Sequence, residues 1–171
     1  MMRAESDTPC VFVMRMAIGG KKYVLPEGLK SGTLIIGWAK VPELMTLEPH
    51  AARRDLLVRT YGRSLSTAGT HANEIHRFLN EMSVGDLVLV AAQDSGKYYA
   101  AEVTGDAAYH EEFRASDTAY RRPVRWLNHG KPYSRSASSP AIRHALKQRG
   151  MTCRRLDEPY GVVKSLLDAQ S

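Results

Sequence analysis

The sequence predicts an α+β fold: a small, curved, largely antiparallel sheet or barrel flanked by helices. Two observations carry this. Short runs of β-branched and apolar residues outnumber the helical runs, and hairpin turns rather than helical crossovers join them. The chain also shows no internal repeat and no low-complexity tract.

Taken in order, VFVMRMA (11–17) and TLIIGW (33–38) read as strands, and GGKKYVLPEGLKSG between them has turn chemistry at both ends. From Thr46 to Tyr61 the run is helical, with Pro49 suited to a first turn and Gly62 to a C-terminal stop. A second helix follows in THANEIHRFLNEM, where Thr70 can cap and Ile75, Phe78, Leu79 and Met82 recur at helical spacing. Strands at 87–92 and 97–103 form a hairpin about Asp94-Ser95-Gly96. After the loop 105–120 comes a strand at 121–127, whose alternation puts Val124 and Trp126 on one face and Arg125 on the other. A loop (HGKPYSRSASS) leads to a helix at 139–149 with Pro140 in its first turn and Gly150 past its end; a strand at 151–156 and a helix in EPYGVVKSLLDA complete the chain.

In 171 residues, 43% hydrophobic and 25% charged, there is room for one domain with a sizeable core. No apolar run is long enough to span a membrane, and MMRAESDTPC lacks the apolar stretch of a signal peptide. Cys10 and Cys153 lie far apart in strand-like runs, without zinc spacing, and read as reduced residues of a cytoplasmic protein.

The net charge of +6 conceals an asymmetry. Residues 1–113 carry twelve Lys/Arg against fourteen Asp/Glu, whereas residues 114–155 carry eleven against Asp117 alone. A block of that density is an electrostatic footprint for a polyanion. Arg121, Arg122, Arg125, Lys131 and Arg135 are the candidate contacts to nucleic-acid phosphates.

Catalytic chemistry is not advertised. His71 and His76 are five apart, a poor match for one helix face, so a helical metal pair is missing. No G-x-S-x-G elbow, P-loop or G-x-G-x-x-G occurs. Asp86, Glu102 and Lys97 could be forced into a nuclease pattern, but Asp86 stands where a carboxylate ordinarily caps the loop before a strand. The expectation is a non-catalytic protein with no metal and no cofactor.

What remains is a set of aromatics near glycines and basic residues. Trp38 ends L-I-I-G-W; Tyr98 and Tyr99 enter a hairpin strand and face opposite sides, so that only one, here Tyr99, can line a pocket; Tyr109, Phe113 and Tyr120 precede the basic strand. Aromatics at strand ends beside arginines are suited to stacking a base that has left its helix.

An ordered series of motifs resembles a known family: I-G-W (36–38), I-H-R-F-L-N-E-M (75–82), G-D-L-V-L-V (85–90), Y-Y-A-A-E-V-T-G-D (98–106) with Tyr109 beyond it, R-R-P-V-R-W-L (121–127) and S-S-P-A-I-R-H-A-L-K-Q-R-G-M-T (138–152). The series is similar to the YTH/EVE-like branch of the PUA superfamily, in particular the N-terminal modules of McrB-type and Mrr-type modification-dependent restriction systems. The resemblance implies that residues 1–171 form one such domain, with a barrel-like sheet and an aromatic cage for a flipped, often methylated base. Trp38 matches the cage tryptophan, Phe113 and Tyr120 lie in the loop that supplies a second wall, and Tyr109 matches a tyrosine that follows the hairpin. A nuclease or NTPase would then reside on a partner chain or a missing domain, and DNA is favoured over RNA. Two alternatives stay open: a nuclease or base-processing enzyme, and an RNA-binding module of the broader PUA or ASCH-like type.

A polyanion footprint makes affinity for duplex DNA fall steeply with salt. Each neutralised phosphate is expected to contribute about 0.9 to the slope of log K against log [salt]. Binding titrations between low and physiological salt check this, and a salt-independent affinity would reduce the basic block to a solvated face.

Overall fold

In the computed structural model, which describes residues 8–19, 21–47, 50–148 and 153–171, period-two alternation places a core on each side of one curled sheet. The strands are β1 (Val11–Met14), β2 (Ala17–Ile18), β3 (Lys22–Tyr23), β4 (Thr33–Ile36), β5 (Leu87–Ala91), β6 (Lys97–Val103), β7 (Ala108–Tyr109), β8 (Tyr120–Trp126), β9 (Tyr133–Ser134) and β10 (Cys153–Leu156). The helices are α1 (Leu25–Ser31), α2 (His50–Tyr61), α3 (Leu65–His76), α4 (Pro140–Lys147) and α5 (Tyr160–Gln170). The main sheet runs β10-β1-β5-β6-β8-β4, with β7 added on β8 and β9 on β6, and curls into a half-barrel. Every ladder in it is antiparallel except β1 with β5.

Because successive side chains leave a strand on opposite faces, β1 feeds both cores. Phe12 and Met14 join Val88, Val90, Ala101 and Val103 against α3. Val11 and Val13 join Leu87, Leu89, Tyr98 and Ala100 under α4 and α5. This explains why β1 and β5 read as continuous apolar runs rather than alternating ones.

Three local readings differ from the sequence-based expectations. The segment 25–31, between the two turn-like ends of GGKKYVLPEGLKSG and read as no element from sequence, forms α1. Its close seat explains the glycine: a β-carbon on Gly28 would stand 2.5 Å from Met16 Cε and 2.6 Å from the Thr33 carbonyl oxygen. The next helix begins at Leu65, with Ser64 Oγ accepting from Thr67 N (3.2 Å), and Thr70 lies inside it, donating to the Ser66 carbonyl. The first turn of α3 begins with an exposed leucine, Leu65, followed by Ser66 and Thr67, and its buried positions before Ile75 are small alanines (Ala68, Ala72), so large apolar spacing does not mark its start. The helix also does not run on regularly to Met82: residues Arg77–Glu81 widen into a π-helical turn. The expectations for Pro49, Gly150 and the first two residues of the strand at 151–156 lie outside the described residues.

That π-helical turn is sealed by an arginine. Arg122, on β8 and 1% exposed, donates from Nε and Nη2 to the Phe78 carbonyl (3.0 and 2.7 Å), from Nη2 to the Leu79 carbonyl (3.2 Å) and from Nη1 to the Gly105 carbonyl (3.0 Å). The last carbonyls of a helix lack intrahelical donors and carry partial negative charge, and a guanidinium satisfies both needs. Arg122 is thus a structural cation and not a phosphate contact. Replacing it with Met leaves the Phe78, Leu79 and Gly105 carbonyls without these donors, and we expect a loss of about 3–5 kcal/mol. Urea unfolding checks this; a loss below about 1 kcal/mol would show that the carbonyls find other partners.

Candidate functional site

Beyond Ile36 the chain leaves β4 through Gly37 and places Trp38 at φ +70°, a left-handed conformation that costs a non-glycine residue about 1–3 kcal/mol unless its surroundings enforce it. They do. The Ala39 N–H donates to Asp117 Oδ1 (2.7 Å), and the Tyr109 hydroxyl donates to the Ala39 carbonyl (2.7 Å). The Lys40 N–H donates to the Tyr61 hydroxyl (3.2 Å). Tyr120 bonds the Val41 carbonyl and accepts from Leu44 N (3.2 Å). Three phenols and a carboxylate therefore fasten residues 39–44, and the fastened loop presents the indole.

The Trp38 ring forms one wall of a cleft of about 870 Å³. Tyr61, at the end of α2, meets it edge-on at 5.0 Å, and His71 of α3 lies tilted at 4.7 Å. His71 Nδ1 is in turn 3.3 Å from Oε2 of the buried Glu74. The cleft is also lined by Arg15, Arg63, Arg135 and Lys147, with Asp117 as the carboxylate among its lining residues. Burial holds the Asp117 carboxyl above the usual carboxylate range, against the Ala39 N–H and the charges of Lys40 and Lys22. Burial likewise pushes the Tyr61 phenol to about 12, so it stays neutral and hydrogen-bonding at any physiological pH.

Of the aromatics expected in the cage, Trp38 lines the cleft and the others do not. Tyr120 is fully buried and Tyr109 packs edge-on against it at 5.0 Å, so both brace the loop behind the indole. Tyr99 packs toward Trp126, whose Nε1 donates to the Gly28 carbonyl (2.9 Å). Phe113 lies 3.6 Å beneath the guanidinium of Arg121, which pairs with Glu27. Tyr61, His71 and Tyr23 take the places in the cleft instead. No local signal distinguished them, since they come from α2, α3 and the β2–β3 hairpin and meet only in the fold.

The basic candidates divide similarly. Arg121 and Arg122 are buried, bonded to protein carbonyls and Glu27, which removes them from any phosphate. Arg135 is buried in the cleft wall. Arg125 is exposed and pairs with Glu102 (2.9 Å), and Lys131 is exposed. The forced nuclease trio does not converge. Asp86 is buried with its oxygens accepting from Cys10 N and Ser83 N (2.8 and 2.9 Å), and Lys97 and Glu102 stand about 17 Å apart along β6. Among the described residues no three His, Cys, Asp or Glu side chains gather as a metal site, and no helix is long and apolar enough to cross a membrane.

A family model described as "Domain of unknown function (DUF8426)" matches residues 14–149. Comparison with curated proteins and with solved structures finds no match.

Asp117→Asn keeps an oxygen for the Ala39 N–H while removing a half-buried charge. A carboxyl with a raised folded pKa binds its proton more tightly folded than unfolded, so its stabilising contribution is full below about pH 4 and is lost as pH rises through the folded value. We expect the parent to lose stability relative to Asp117→Asn across that rise, and the variant to be no less stable at neutral pH. Urea titrations from about pH 3 to 7 check this; a variant clearly weaker at neutral pH would show that the anion is worth more to the Ala39 N–H than its burial costs.

Proposed function

The chain belongs to the DUF8426 family, and from that premise we propose that it is a non-catalytic nucleic-acid reader which takes an extruded, modified base of DNA into the cleft beside Trp38. The observation that carries this reading is a tryptophan held at φ +70° on the wall of a cleft flanked by arginines. Backbone strain of this kind persists where the surroundings over-determine it, and it clusters at ligand clamps. The ordered resemblance to YTH/EVE-like modules supports the same reading.

The chemistry is additive. Extruding a base costs a few kcal/mol, and stacking on an aromatic ring returns roughly 1–3 kcal/mol per base. Trp38 supplies the platform, with Tyr61 and His71 packed against its ring at 5.0 and 4.7 Å. Asp117 Oδ1 is engaged by the Ala39 N–H, which leaves Oδ2 to accept from a base N–H. Exposed cations such as Arg63, Lys131 and Lys147 attract the duplex without reading sequence. As part of a restriction or defence system, the chain would leave cutting to a nuclease or NTPase partner.

Parallel titrations with methylated, hydroxymethylated and plain duplexes of one sequence test the proposal, and equal affinities for all three would overturn base reading. Tight binding to structured RNA without preference for DNA would move the reading to an RNA module. For the favoured duplex, Trp38→Ala is expected to lose about 1–3 kcal/mol of binding, roughly 5- to 150-fold, with its melting temperature nearly unchanged. A variant that melts far lower while its folded fraction still discriminates would make Trp38 a packing residue.

A further inference from the structure

Four arginines are buried among the described residues, and one differs from the rest. Arg53 donates to the Leu44 carbonyl (2.6 Å) and to Asn80 Oδ1 (3.1 Å). Arg121 is held by Glu27 and Thr118, and Arg122 by three carbonyls. Arg135, 8% exposed, gives only its Nε to the Lys97 carbonyl (3.2 Å), and neither of its Nη groups has a partner among the described residues. Its backbone is fixed, with N bonded to the Gly96 carbonyl and the Ser138 N–H returning to its own carbonyl.

Arg15 stands near it in the cleft wall. Nη1 makes one long bond to the Tyr23 hydroxyl (3.4 Å), and Nε is buried with no partner among the described residues. Neither guanidinium forms an ion pair among the described residues. Burial lowers the Arg135 pKa, the charge on Arg15 lowers it further, and Asp94 opposes both; Asp94 itself is exposed and paired with Lys97 (4.0 Å). The carboxylate of the cleft, Asp117, is bound to the Trp38 loop. Arg135 is buried and Arg15 half-buried; two neighbouring cations with unused donors repel each other in an empty protein and are favourable around an anion that accepts from both. Phosphate oxygens match the guanidinium fork.

We infer that Arg15 and Arg135 form a phosphate subsite inside the cleft, with Lys147 at its rim, so that the cleft takes a whole nucleotide rather than a bare base. The volume agrees: about 870 Å³ is at the upper end of the ~300–1,000 Å³ of small-molecule sites. The subsite itself rests on the two guanidiniums. That its phosphate belongs to the nucleotide whose base lies on Trp38 rests on the proposed function.

The test uses the full chain and Arg15→Gln, which removes a charge and an unpartnered buried donor and so should fold. Inorganic phosphate, at ionic strength matched with chloride, is expected to raise the melting temperature of the parent and not of Arg15→Gln; equal responses overturn the subsite. Deoxycytidine and deoxyadenosine 5′-monophosphates are then compared with their nucleosides by calorimetry. The parent should favour the phosphorylated form by at least about tenfold, as charge-assisted bonds to guanidinium require, and Arg15→Gln should abolish the preference. A preference that survives in Arg15→Gln overturns the subsite while leaving base reading intact. Loss of the preference in Arg15→Gln, combined with unaltered nucleotide affinity in Trp38→Ala, upholds the subsite and overturns the base reading. A single-stranded oligonucleotide carrying one methylphosphonate linkage separates the two sources of the phosphate: weakened binding assigns it to a nucleic-acid strand, and undiminished binding, with tight monophosphate binding, to a free nucleotide.

Discussion

The hydrogen bonds of Arg122 to the Phe78, Leu79 and Gly105 carbonyls are the constraint from which much of the architecture follows. They join three parts of the chain far apart in sequence: the π-helical end of the α3 segment, the turn after β6, and β8. Without a cation there, a helix would end inside the core with its carbonyls bare, a cost the fold could not carry. With it, β8 is fixed against α3 while its other half pairs with β6, and β4 is paired to the end of β8 that holds Arg122. The position of Gly37 and Trp38, immediately beyond β4, inherits that register.

Part of the basic block therefore serves the interior. Arg121 and Arg122 are consumed by Glu27, Thr118 and helix-end carbonyls, and a phosphate could reach neither without unfolding. The cations that remain toward solvent or toward the cleft are fewer and more dispersed than the sequence implies: Arg63, Lys147 and Arg15 come from outside the strand that first drew attention to charge. Arg15, Arg63, Arg135 and Lys147 are arranged about a concavity rather than along β8.

The loop after β4 shows how strain and support are matched. Trp38 at φ +70° is unfavourable by itself, and the chain surrounds it with Asp117, Tyr61, Tyr109 and Tyr120, each bonded to the backbone of residues 39–44. Tyr109 and Tyr120 thus serve the candidate site from behind, by holding the loop that carries the indole. Neither ring is among the residues that line the cleft; their hydroxyls bond the Ala39 and Val41 carbonyls behind it.

Local chemistry settled a good deal. The strands at 11–14, 33–36, 87–91, 97–103 and 120–126, the hairpin about Asp94-Ser95-Gly96 and three of the helices were legible within a few residues, because side-chain period and turn residues act over short distances. So were the curved, largely antiparallel sheet and the place of Trp38 at the end of its strand. Two things were decided only by the tertiary structure. One is which residues share the cleft, since Trp38, Tyr61, His71, Arg15 and Arg135 come from five separate segments. The other is the fate of the arginines. Arg121 and Arg122 are neighbours on β8 and point to opposite faces, so the period-two rule would expose one of them. Both are buried, because α1 supplies Glu27 on one side and the π-helical turn supplies carbonyls on the other. A strand covered on both faces erases the alternation by which sequence tells inside from outside.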